Sequence, residues 1–75
     1  MKIKEKRKEW KVSYKNRREV LIFVQEMKKK YRISEIVTTT IGDEEIAWIP
    51  KSYNISREEI TEVANSVADL ILLTE

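Results

Sequence analysis

The residues best suited to chemistry stand in the opening stretch MKIKEKRKEWKVSYKNRR, where nine of the eighteen are Lys or Arg. Cations at this density suit phosphate. Each phosphate they neutralise releases counterions, which gives affinity that ignores sequence and weakens with salt. The candidate phosphate contacts are Lys4, Lys6, Arg7, Lys8, Lys11, Lys15, Arg17 and Arg18, with DNA or RNA as the expected partner. Three aromatic residues, Trp10, Tyr14 and Trp48, could stack on unpaired bases if they lie on an open sheet face. At alternating strand positions they are better explained as core. The two uses differ in one respect: a stacking residue must point away from any helix that covers the sheet.

Catalysis has little to work with. The chain has no His for proton transfer and no Cys nucleophile. One glycine cannot build a phosphate-cradling loop. Asp43, Glu44 and Glu45 form a run of carboxylates, but acids beside a glycine are ordinary turn residues. Glu58 and Glu59 serve a helix start, where acids complement the dipole. Glu9-Trp10-Lys11 and Glu26-Met27-Lys28 fit an E-x-K pattern known from a nuclease superfamily, as chance allows in so lysine-rich a chain. The expectation is a non-enzymatic protein without cofactor or metal.

These residues must be positioned by a few short elements. In YNISREEI, Ser56 and Glu59 have capping-box spacing, and Ile55 and Ile60 the spacing of a hydrophobic staple. Ile60, Val63, Ala64, Val67, Leu70 and Ile71 follow as one helical stripe, with Glu58, Glu62 and Asp69 opposite. Asn16 and Glu19 repeat the capping box upstream, ahead of a stripe formed by Val20, Phe23, Val24, Met27 and Tyr31. Between the helices, SEIVTTTIGDEEIAWIP predicts a hairpin turning at Gly42-Asp43 and ending at Pro50. The period places Val37, Thr39, Ile41, Glu44, Ile46 and Trp48 on one face, expected to be the core. Ile36, Thr38, Thr40, Glu45, Ala47 and Ile49 take the other. Upstream, EWKVSY alternates as one half-buried strand.

The fold class is therefore α+β. A small two-layer sandwich in β-α-β-β-α order is expected, with two helices packed on one face of a three-stranded sheet. Residues 1–8 are expected to be a basic flexible arm and residues 9–75 a single domain. The element order shares pieces with the double-stranded-RNA-binding and RNA-recognition folds, but no RNP-type aromatic motif is present.

Seventy-five residues bury only about 60% of their unfolded surface, so the core is marginal and association would relieve it. Ile22, Leu72 and Leu73 fall outside the helical stripes and are candidate interface residues. They support a second expectation, a protein-interaction module, expected to be a homodimer, acting on a partner protein through apolar and acidic surfaces. The charge is also uneven. Residues 1–32 hold 13 of the 15 basic and 4 of the 13 acidic residues, a net +9, and the remainder carries −7. The longest apolar run, Val20 to Val24, is far short of a membrane span. No apolar segment follows the basic start as a signal peptide requires, so a cytoplasmic protein without a membrane partner is expected.

Overall fold

The computed structural model describes residues 1–74. Its elements are β1 (Lys2–Glu5), β2 (Glu9–Tyr14), α1 (Arg17–Tyr31), β3 (Val37–Ile41), β4 (Glu44–Pro50), a 3-10 turn (Lys51–Tyr53) and α2 (Arg57–Thr74). The four strands form one antiparallel sheet in the order β1-β2-β4-β3. The α+β class holds, but the sheet has four strands where three were expected.

The extra strand lies in the stretch expected to be a flexible arm. Lys2–Glu5 pairs with β2 from Lys2 opposite Ser13 to Glu5 opposite Trp10. KIKE carries one apolar residue, too few to show a period. Long-range ties supply what local pattern lacks. Ile3 packs against the core, Arg57 Nη2 donates to the Ile3 carbonyl at 3.0 Å, and Glu5 pairs with Lys51 at 2.6 Å.

Both helices start as their caps dictate. The Glu19 amide donates to Asn16 Oδ1 at 3.1 Å. Ser56 and Glu59 satisfy one another reciprocally, at 3.0 and 3.2 Å. The amide of Ser56 holds the Glu59 carboxyl below the usual range. α1 buries Val20, Phe23, Val24 and Met27, and α2 buries Ile60, Val63, Ala64 and Val67. Lys30 and Glu62 join the two helices at 3.4 Å. Two left-handed residues, Arg32 (φ 54°) and Asn54 (φ 55°), end α1 and the 3-10 turn.

The sheet contributes Trp10, Val12, Tyr14, Ala47 and Ile49 to the same core cluster as the helices. Register explains the grouping: Val12 lies opposite Ala47, and Trp10 opposite Ile49. The helices therefore cover the face that carries Thr38, Thr40, Glu45, Ala47 and Ile49. This reverses the expected facing of the hairpin. Ile46 and Trp48 stand outside the helix-side cluster, on the face that no helix covers.

Tyr14 and Phe23 pack as a tilted pair, 5.7 Å between ring centroids. The Tyr14 hydroxyl is buried without a hydrogen-bond partner among the described residues. Its pKa is pushed up, first by burial and then by the Glu19 charge. Gly42 opens the β3–β4 turn at φ +59°, and open space surrounds it. The glycine is needed there for its backbone conformation and not for room.

Candidate nucleic-acid interface

The open face is built from alternate residues of the four strands. Lys11 lies opposite Trp48 and Ser13 opposite Ile46 across β2–β4. Lys2 and Lys4 lie opposite Ser13 and Lys11 across β1–β2. Val37 and Thr39 lie opposite Trp48 and Ile46 across β3–β4. Because side chains alternate along a strand, these residues share one side of the sheet with Ile41 and Glu44.

Trp48 sits at the centre of this arrangement and is half-buried. Its indole Nε1–H donates to Thr39 Oγ1 at 2.8 Å, which fixes the ring over the β3–β4 pair. The Lys11 ammonium lies 5.9 Å from the ring centroid, within reach of the ring quadrupole. Ile46 is fully buried even though it faces away from the helices. Lys2 and Lys4 are exposed on the outer strand beside Lys11. A fixed aromatic ring with one ammonium group beside it, and two more lysines on the outer strand beyond β2, pairs a flat apolar surface with anion-binding charge.

The fold distributes the expected basic residues among three places. Lys4 and Lys11 share the open face, joined by Lys2, which the same basic run supplies. Lys6, Arg7 and Lys8 form the β1–β2 connection at one end of the sheet. Its backbone is tied by the Lys6 amide to the Glu9 carbonyl and by the Lys51 amide to the Lys8 carbonyl, both at 2.9 Å. Lys15, Arg17 and Arg18 lie at the opposite end of β2. Arg17 approaches Glu45 at 3.8 Å, so part of its charge is met within the chain. Arg18 lines a groove with Glu19 of α1 and Ala68, Ile71 and Leu72 of α2. β2 alone separates the two end clusters by about 20 Å at strand rise.

Of the three aromatic residues, two are core and one is not. Trp10 and Tyr14 point into the helix layer and are buried. Lys51 lies 5.5 Å from the Trp10 centroid on that side. Trp48 points away. Sequence alternation finds the period of the hairpin but not which face turns inward, since Val37, Ile41, Ile46 and Trp48 are as apolar as Ala47 and Ile49. The signal that decides is cross-strand register, which is not a local property of the sequence.

The other candidate groups separate. Glu44 and Glu45 fall on opposite faces of β4, and Glu45 accepts from Thr40 Oγ1. Among the described residues no group of three or more metal-ligating side chains occurs. Ile22, expected to face outward, is half-buried and packs against the core, because α1 lies on both the sheet and α2. Leu72 and Leu73 are 72% and 82% exposed. Among the described residues no helix is long and apolar enough to cross a membrane.

Comparison with models of known families, with curated proteins and with solved structures finds no match to this chain. The functional reading therefore comes from the chain's own residues.

Proposed function

We propose that this chain is a small non-enzymatic accessory or regulatory protein that binds single-stranded nucleic acid across the open face of its sheet. Lys2, Lys4 and Lys11 contact phosphates, and Trp48 stacks on an unpaired base. The observation that carries the reading is the half-buried Trp48 ring on the open face with the Lys11 ammonium beside it. Proteins that bind single strands without sequence preference combine these two features, stacking surface and backbone-tracking charge. The end clusters, Lys6 to Lys8 and Lys15 to Arg18, lie where a strand crossing the face would enter and leave.

Titration of an unstructured oligonucleotide against salt tests the proposal and measures how much of the basic half takes part. Three phosphate contacts on a single strand give a slope of about −2 in log K against log salt, an affinity loss of about twentyfold between roughly 50 and 200 mM. All eight basic residues singled out from the sequence would give a slope of about −6 and a loss of more than a thousandfold over the same range. No binding at low salt would end the proposal.

A further inference from the structure

The sheet has two edges, and they differ. β1 is a defended edge. It carries two lysines and a glutamate in four residues, Arg57 occupies the Ile3 carbonyl, and Lys51 ties down Glu5. Charge and a covering side chain are the usual ways in which a protein blunts a strand edge. β3 is undefended. Val37-Thr38-Thr39-Thr40-Ile41 has no charge and no proline, and its register against β4 is continuous, without a bulge. All five residues are β-branched, the type best suited to a pleated partner. Among the described residues no side chain bonds to the outer backbone groups of this strand. The hydroxyl of Thr40 and the acceptor oxygen of Thr39 are both engaged by β4 residues, on the inner side.

The strand is also its own complement. With a two-residue turn, Ile41 and Glu44 form the closing hydrogen-bonded pair of the hairpin, so bonding to β4 alternates from there. Ile41, Thr39 and Val37 direct their N–H and C=O inward. Thr38 and Thr40 direct theirs outward. An antiparallel two-fold axis at Thr39 then pairs Thr38 with Thr40 of a second copy, and both make outward hydrogen bonds. The same axis sets Val37 opposite the second copy's Ile41 on the open face. These two side chains are 62% and 57% exposed in the single chain. No other register satisfies the outward groups and joins the apolar ends at once.

We propose that β3 pairs antiparallel with β3 of a second copy about a two-fold axis at Thr39, joining two sheets into one. The occupant is a second copy because the strand's pattern of outward backbone groups and apolar ends is symmetric about its middle residue. A two-fold axis across this edge runs perpendicular to the sheet, so both helix layers stay on one side and both open faces on the other. Glu35 and Asp43, both exposed, flank the strand and approach one another across the axis. Association therefore strengthens as salt screens this repulsion, opposite in sign to the salt response of phosphate binding. The inference stands independently of nucleic-acid binding.

Sedimentation of the full chain across concentrations tests it, with paired variants that read the register. The wild type is expected to reach the mass of two chains at high micromolar concentration, more readily in high salt. Val37→Lys with Ile41→Lys places like charges opposite one another and is expected to weaken association at least tenfold. Val37→Glu with Ile41→Lys places opposite charges there and is expected to restore it. Both positions are exposed in the single chain, so circular dichroism should show unchanged folding. A wild type that stays monomeric at high micromolar concentration would overturn the proposal. So would a double-lysine variant that associates as well as wild type, or association abolished only by replacing Leu72 and Leu73.

Discussion

Lys11 holds its ammonium 5.9 Å from the centroid of the Trp48 ring, across the β2–β4 pair and on the face of the sheet that the helices leave open. The contact joins the strongest functional signal in the sequence, the basic opening, to an aromatic residue nearly forty positions away. It also separates the two tryptophans by role. Trp10 is part of the core, whereas Trp48 lies outside it.

The anchoring of β1 predicts acid sensitivity. Lys51 holds the Glu5 carboxyl below the usual range, first by a hydrogen bond and then by its charge, and the Ser56 amide does the same for Glu59. A depressed folded-state pKa gives stability that is present above the unfolded carboxylate value and lost as pH falls through the folded one. Urea midpoints should therefore fall as pH drops below the ordinary carboxylate range. Glu5→Gln and Glu59→Gln should each flatten that fall. Midpoints independent of pH in this window would contradict the assignment.

The orphaned hydroxyl of Tyr14 predicts a stabilising substitution. A buried polar group without a partner costs about 1–3 kcal/mol. Tyr14→Phe removes it while keeping the ring against Phe23. Thermal or urea unfolding should show stability equal to wild type or higher, by up to about 1 kcal/mol. A loss of more than that would show that the hydroxyl has a partner.

Gly42 makes the opposite prediction. A Cβ at Gly42 would touch nothing, yet φ is +59°. Gly42→Ala should destabilise by about 1–2 kcal/mol through backbone conformation alone. Gly42→Asn, which tolerates this region better, should cost less. Equal stability of all three forms would show that the turn can rearrange.

How much of this was legible depends on whether the information is local. Helix starts are local. The Ser56–Glu59 box occurs where its spacing places it, the Asn16 side chain caps α1 through the Glu19 amide, and Ile55 and Ile60 are both buried in the core. The apolar stripes of both helices are buried through Met27 and Val67, while their last members, Tyr31, Leu70 and Ile71, are only half-buried. The Gly42-Asp43 turn is local too. What could not be read is set by contacts distant in sequence. β1 exists because β2, Lys51 and Arg57 hold it, and four residues with one apolar side chain show no period of their own. The facing of the hairpin is set by Val12 opposite Ala47, a pairing of residues 35 apart. That facing moved Trp48 from expected core to candidate site. The β1–β2 pairing sets Lys2 and Lys4, expected on a flexible arm, on a defined strand beside Lys11. Ile22 was misplaced for a related reason: α1 contacts both the sheet and α2, so its buried arc is wider than the main stripe.

The most direct test of the central claim follows the two indole N–H resonances during titration with an unstructured oligonucleotide at low salt, assigned with Trp48→Phe. The Trp48 signal should shift or broaden as the oligonucleotide is added, while that of buried Trp10 stays in place. Raising the salt should return the Trp48 signal to its free position. If neither signal moves, or if binding leaves Trp48 unchanged, the open face is not the binding surface.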